Sequence, residues 1–124
     1  PEPLANVVAI FDKPVMADAR AVIICIVDES PVYHGMTFGV EDCAAAVENM
    51  LLATTALGYA TVWIDGALRI EDKAGRIAAL LKIPEALSVR VILPLGVPEE
   101  TRNQPQKRSF TERAAFNCFP TPGQ

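Results

Sequence analysis

The segment from residue 40 to residue 57, VEDCAAAVENMLLATTAL, is the feature that most restricts how this chain can fold. It has few polar residues, and Gly58 follows it in the position where a glycine commonly ends a helix. A helix that is apolar nearly all round must be buried nearly all round. A chain of 124 residues can provide only part of that cover, because small domains bury a smaller share of their surface. The sequence therefore predicts a second subunit, with this helix at the interface.

The size and charge of the chain limit the classes of protein to which it can belong. We interpret residues 1–124 as one domain, because two ordinary domains need a longer chain. A formal net charge of −4 argues against a nucleic-acid-binding surface, which requires a clustered basic face. No apolar run reaches the ~18 residues of a membrane span, and the first residues lack the layout of a signal peptide. We therefore expect neither a nucleic-acid partner nor a membrane partner.

The three cysteines, Cys25, Cys43 and Cys118, include no CxxC pair, and their spacing with His34 matches no zinc-ligand pattern. Two of them stand in apolar runs, where a free thiol packs as a small hydrophobic side chain. An odd number of cysteines without a metal-ligand pattern is typical of free thiols in a reducing compartment. We therefore expect no metal site and a cytoplasmic protein.

Strand-like and helix-like segments alternate along the chain, which predicts a layered domain of helices and strands. Taken alone, this alternation favours parallel strands. Pro94 suggests that the third strand lies at an edge of the sheet or ends there. The predicted segments are a short helix within 4–11 (LANVVAIF), strands at 21–28 (AVIICIVD), 59–64 (YATVWI) and 89–96 (VRVILPLG), an amphipathic helix at 70–83 (IEDKAGRIAALLKI), and an extended C-terminal arm at 97–124.

Two short motifs are candidates for contacting a ligand. WIDG ends a strand on Asp65-Gly66, which is common turn chemistry and also lets backbone amides approach a ligand closely at the glycine. QKRS contains Lys107 and Arg108, which can be a solvated pair of charges or a grip on one phosphate. No nucleophile–base pair and no glycine-rich phosphate loop accompanies them. Residue chemistry alone therefore leaves the catalytic residues unassigned.

Taken in order, the motifs between residues 42 and 98 resemble the C-terminal half of the FMN-dependent nitroreductase family. The family pattern is an acid, a Met-Leu-Leu-Ala helix ending in Ala-Leu-Gly, a strand reaching Trp-Ile near a glycine, an Ile-Pro-Glu turn and a Pro-Leu-Gly strand end. A less specific match extends the resemblance to residues 15–115. The matching positions are Asp42, Asn49-Met50-Leu51-Leu52-Ala53, Ala56-Leu57-Gly58, Trp63-Ile64, Ile83-Pro84-Glu85, Pro94-Leu95-Gly96 and Pro98.

The resemblance implies an α+β fold with three layers, α/β/α, around a mostly antiparallel sheet. It also implies an intertwined homodimer, with the long apolar helix at the interface and FMN bound there. NAD(P)H would be the electron donor, and a nitroaromatic, quinone or similar small molecule would be the acceptor, with ping-pong hydride transfer through flavin N5. The flavin would carry the chemistry, so no catalytic side chain is implied. The cofactor-binding residues that it implies are Trp63, Ile64, Asp65, Gly66, Lys107 and Arg108.

One part of the family pattern has no counterpart in the sequence. Family members carry an N-terminal Arg-Arg-Ser-type segment that binds the FMN phosphate and ribityl chain, whereas Arg20, the first arginine, directly precedes a strand. We therefore expect the sequence, which lacks an initiator methionine, to be N-terminally incomplete. The alternative is a flavin-free, dimeric nitroreductase-like module with a structural or binding role.

Overall fold

The computed structural model describes residues 2–11, 13–100 and 103–119. Residues 101–102 and 120–124 of the predicted C-terminal arm lie outside the described residues. Within the described ranges the elements are, in chain order, α1 (Glu2–Phe11), α2 (Pro14–Ala17), β1 (Ala21–Asp28), α3 (Gly39–Ala56), β2 (Ala60–Thr61), a 3₁₀ turn (Gly66–Arg69), α4 (Lys73–Leu81), β3 (Leu87–Gly96) and α5 (Phe110–Arg113).

The described strands form one antiparallel sheet in the order β1-β3-β2. β1 pairs along its whole length, from Ala21 opposite Leu95 to Asp28 opposite Leu87. Because β1 and β2 are both antiparallel to β3, these two strands run in the same direction, as a crossover through α3 predicts. β3 inserts between them in the opposite direction. The parallel sheet that alternation favours is therefore wrong, and the antiparallel sheet implied by the resemblance is confirmed.

β3 is the central strand, so the edge position suggested for Pro94 is wrong. Ile92 exchanges two backbone hydrogen bonds with Ile64 on the β2 side, at 3.0 and 2.9 Å. Successive residues of a strand direct their backbone polar groups to alternate sides, so the nitrogen of Pro94 also faces the β2 side. It lies there in a gap between the Ile64 bridge and the Thr61–Leu95 pair. The register places Val62 opposite Pro94, so the missing N–H of proline removes the ladder hydrogen bond at this point and the pairing is interrupted there.

The side chains of β3 alternate between two apolar layers on opposite faces of the sheet. Ile92 packs with α1, α2 and α4, whereas Val91 and Leu93 pack with α3. The three-layer α/β/α arrangement is therefore confirmed. The first layer comprises Val7, Phe11, Met16, Leu68, Ile77, Val89 and Ile92, and the second comprises Val27, Cys43, Val47, Val91 and Leu93.

α3 confirms the predicted long helix to within one residue at each end. Cys43 and Val47 are buried against the sheet, but Leu52 and Leu57 are 60% and 73% exposed. The protein's own layers therefore cover one side of the helix, as expected for a chain of this size. The dimer interface on its other side stays a prediction. Over the described residues, no helix has the length and apolar character needed to cross a bilayer.

The helix predicted over 70–83 is shorter than its apolar pattern, because α4 occupies only Lys73–Leu81. Glu71 and Asp72 have positive φ angles of 55° and 50°, and Lys82 has a φ of 56°. These left-handed conformations set both ends of α4, since a right-handed helix cannot continue through them.

Candidate functional site

The predicted bend at Asp65-Gly66 is present and is attached to the central strand. The strand predicted over 59–64 forms only at Ala60–Thr61, and pairing resumes at Ile64 through its two hydrogen bonds with Ile92. The chain then turns at Asp65 into the 3₁₀ turn. The double hydrogen bond therefore fixes the residue that immediately precedes the bend.

The backbone of this bend is open to a ligand. A Cβ added to Gly66 would meet no atom within 4 Å. In the part of the chain that the structure describes, the N–H groups of Asp65, Gly66 and Ala67 donate no hydrogen bond. Trp63, just before them, is 37% exposed. Backbone donors that lack a protein acceptor need water or a ligand as their partner, so the bend has N–H groups available to a ligand.

The side chain of Asp65 is held by two arginines that sequence analysis did not single out. Arg69 donates from Nε and Nη2 to Oδ1, at 3.2 and 3.0 Å, and from Nη2 to Oδ2 at 3.0 Å. Arg90 brings its Nη2 to 3.6 Å from Oδ2. The spacing of four residues between Asp65 and Arg69 could have indicated the first contact. Nothing in the local sequence indicates the second, because it crosses from the bend to β3.

Lys107 and Arg108 lie on the exposed arm. The carbonyl oxygen of Arg108 accepts a hydrogen bond from Nε of Arg113 at 2.9 Å. Among the described residues, no hydrogen bond or ion pair connects either cation to the bend. The structure therefore does not bring together the two halves of the predicted cofactor site, and the phosphate contact stays a prediction.

Two of the three free thiols face each other between β1 and α3. Cys25 and Cys43 line the same cavity of about 570 Å³. Burial is the main cause that raises the pKa of both thiols, so they are protonated near neutral pH. Cys118 is exposed. The described ranges contain no group of three or more His, Cys, Asp or Glu side chains that could hold a metal ion.

Comparison with protein families identifies the group to which this fold and bend belong. The sequence model of the nitroreductase family matches residues 9–97, which is more than half of the chain. The chain belongs to the nitroreductase family. The family match includes the whole sheet, α3, Trp63 and the bend at Asp65-Gly66. It ends before Lys107 and Arg108.

Two curated relatives carry the same family name. The chain is 33% identical over 88 residues to a protein of Archaeoglobus fulgidus provisionally named NADH dehydrogenase/NAD(P)H nitroreductase, a match covering 71% of this chain and 50% of the relative. It is 38% identical over 80 residues to a protein of the same name from Methanothermobacter thermautotrophicus, covering 64% of this chain and 40% of the relative. The chain therefore spans half or less of the length of these nitroreductases.

Solved structures of nitroreductase-type enzymes share the fold. An FMN-dependent nitroreductase from Clostridium difficile superimposes with a TM-score of 0.76 over 95% of this chain and 70% of that chain, at 23% identity. The NADPH:FMN oxidoreductase of Vibrio harveyi, solved with NAD⁺, gives a TM-score of 0.76 over 97% of this chain and 56% of that chain, at 19% identity. At these identities the likeness establishes the nitroreductase fold.

Proposed function

We propose that the protein is an FMN-dependent NAD(P)H oxidoreductase of the nitroreductase type. The observation that carries the proposal is the bend at Asp65-Gly66, where backbone N–H groups have no protein acceptor, the Cβ position of Gly66 is open, and the preceding residue, Ile64, is fixed to the central strand. The family match includes this bend. Relatives named for reactions of NAD(P)H and FMN support the same assignment.

The groups at the bend fit a flavin. The N–H donors of Asp65, Gly66 and Ala67 match the carbonyl and nitrogen acceptors along the edge of its ring, and Trp63 adds apolar surface. The missing Cβ of Gly66 permits close approach of the backbone. When bound, FMN supplies hydride transfer from NAD(P)H and onward, in ping-pong order, to a nitroaromatic, quinone or similar acceptor. The contribution of the chain is to bind and orient the cofactor.

Lys107 and Arg108 are our assignment for the FMN phosphate. Neither cationic group is engaged by an ion pair within the described residues. A lysine beside an arginine binds phosphate through a point charge and a planar fork of donors. Because the two residues lie on the arm and not at the bend, this assignment requires the arm to reach a bend, either its own or that of a second copy.

A second copy of the chain is the partner that we propose. Isolated exposed apolar residues are ordinary, but a continuous set of them marks an interaction surface. A second copy that covers Leu52 on the outer side of α3 and the apolar residues after the helix would bury most of this set. The exposed apolar residues on α3 and on the segment after it are Val40, Leu52, Leu57, Tyr59, Val62 and Trp63.

A flavin-free, dimeric module is the second candidate. The observation that favours it is the separation of the bend from Lys107 and Arg108 in the described chain. For either candidate we propose a reducing compartment, the cytoplasm, which the three free thiols support.

Gly66→Ala tests the flavin proposal. The new methyl group meets no protein atom within 4 Å, and the φ of Gly66 lies outside the left-handed region. We therefore expect the free energy of unfolding to change by less than about 0.5 kcal/mol. A methyl group pressed against the ring should raise the Kd for FMN by about tenfold, as expected for overpacking of roughly 1.4 kcal/mol.

Gly96→Ala is the matched control, because a Cβ there also meets nothing within 4 Å and Gly96 lies at the end of β3. FMN fluorescence measured during titration with apoprotein gives the Kd of all three proteins. Equal affinities for the wild type and Gly66→Ala would contradict the placement of the flavin. A wild-type protein that ignores FMN would support the flavin-free module.

A further inference from the structure

A bulge in the central strand places Arg90 against the bend. Cys25 of β1 pairs with Val91, but the next residue of β1, Ile26, pairs with Val89, so Arg90 is the extra residue on β3. An extra residue interrupts the alternation of side chains and redirects the bulged side chain. In this protein the redirected side chain brings its guanidinium to 3.6 Å from the carboxylate of Asp65.

The two arginines that contact Asp65 differ in their surroundings. The side chain of Arg69 is 59% exposed and belongs to the same short turn as Asp65, so that pair is local and largely solvated. The side chain of Arg90 is 25% exposed, as is that of Asp65, and it comes from β3, the central strand of the sheet. Exposed pairs contribute little, whereas partly buried charges are less screened by solvent. Arg90 is therefore the arginine that ties the bend to the sheet.

The backbone hydrogen bonds of Ile64 hold only the entrance to the bend. Beyond them, the N–H of Leu68 donates to the carbonyl oxygen of Asp65 at 2.9 Å, and the buried side chain of Leu68 holds the exit from the bend. The unpaired amides lie between these two points, where the side chain of Asp65 supplies a further anchor. With Arg90 and Arg69 both present, the charges of the two arginines and Asp65 sum to +1. Without Arg90 they sum to zero, and the half-buried carboxylate keeps only a solvated partner.

We propose that Arg90 is a positioning residue for the flavin-binding bend, and that it acts by holding the carboxylate of Asp65. This inference rests on the proposed binding of FMN at the bend. Arg90 fixes the direction of the amides that would face the flavin, and it gives the group of Asp65, Arg69 and Arg90 a net positive charge beside an anionic cofactor. Asp65 is then an anchor for the bend and not an acid or base.

Trp63, the single tryptophan of the chain, allows the position of the bend to be measured without FMN. The variants are Arg90→Met, which keeps the length and removes the charge, Arg90→Lys, which restores the charge, and Arg69→Met as the matched control. Acrylamide quenching of Trp63 emission in the apoprotein measures the exposure of Trp63 beside the bend. Titration with FMN measures the Kd for FMN, and thermal melts show whether each variant is folded.

We expect Arg90→Met to raise both the quenching constant and the Kd for FMN, the latter by about three- to tenfold, in the range of coupling for contacting residues. Arg90→Lys should recover most of both changes, and Arg69→Met should alter each by less than about twofold, as for an exposed pair. If Arg90→Met fails to fold, Asp65→Asn replaces it and should raise the quenching constant and the Kd in the same way.

Unchanged Trp63 quenching and FMN affinity in Arg90→Met would overturn the inference. So would equal effects of Arg69→Met and Arg90→Met, since the local pair would then be sufficient to hold the bend. A wild-type chain that does not bind FMN would instead refute the proposed function. In that case the quenching data alone would still decide whether Arg90 positions the bend.

Discussion

Replacing Gly39 with alanine tests how closely α3 is docked on the end of β1. Gly39 is the first residue of α3, and a Cβ at this position would lie 2.8 Å from the carbonyl oxygen of Asp28 and 3.5 Å from Cβ of Val27. The first distance is about half an ångström shorter than a relaxed carbon–oxygen contact. Either the helix or the end of the strand must therefore move.

The carbonyl group of Asp28 has little freedom to turn aside, because Asp28 is paired with Leu87 at the end of the β1–β3 ladder. Overpacking at such a contact costs about 1–3 kcal/mol. The higher helix propensity of alanine returns at most about 1 kcal/mol, and less at the first residue of a helix than in its interior. We therefore expect Gly39→Ala to lower the free energy of unfolding by about 1–2 kcal/mol.

Urea unfolding followed by far-ultraviolet circular dichroism measures this difference, and the m-value should stay constant. Gly66→Ala and Gly96→Ala are the controls, because a Cβ at either position meets nothing within 4 Å. Both should remain within about 0.5 kcal/mol of the wild type. A Gly39→Ala variant as stable as the wild type, or more stable, would refute the tight contact between α3 and β1.

Three further outcomes are expected. Leu52→Arg should convert a dimer into a monomer in sedimentation velocity, whereas Val15→Arg, at an exposed apolar residue of α2, should leave the dimer intact; a monomeric wild type would contradict the interface. Burial raises the pKa of both Cys25 and Cys43, so little of either thiol is present as the reactive thiolate at neutral pH. Iodoacetamide should therefore label exposed Cys118 first, and equal labelling rates at neutral pH would contradict this. Replacing both Lys107 and Arg108 with alanine should raise the Kd for FMN by about tenfold and leave the Kd for riboflavin, which lacks the phosphate, unchanged. Equal losses of affinity for FMN and riboflavin would exclude a phosphate contact.

The elements that could be predicted from the sequence are those defined by local pattern. The bounds of α3 follow from an uninterrupted run of helix formers closed by Gly58, and both signals lie within the segment itself. β1 follows in the same way from a continuous β-branched run. The ends of α4 could not be predicted, because Glu71 and Lys82 adopt left-handed conformations that no glycine or asparagine signals.

Features that depend on pairing between distant segments could not be derived from residue pattern. The central position of β3 depends on its insertion between β1 and β2, so the rule that places proline at an edge failed at Pro94. The contact between Arg90 and Asp65 depends on a bulge whose location is set by the register of β3 against β1. Sequence analysis therefore located the bend at Asp65-Gly66 but not the arginine that anchors it.

If the proposed dimer covers the exposed apolar segment that leads to the bend, the proposed interface and the proposed flavin site are neighbours, and this couples their tests. A set of exposed apolar side chains leads from the end of α3 to the bend, and none of them belongs to either apolar layer: Leu57, Tyr59, Val62 and Trp63. Because this set ends at Trp63, we expect a second copy that covers it to reach the bend as well. Leu52→Arg should therefore weaken FMN binding as it separates the copies, whereas Gly66→Ala should weaken FMN binding in an intact dimer. If the separated copies instead bound FMN as tightly as the wild type, the flavin would lie within one chain and the apolar surface would need another explanation.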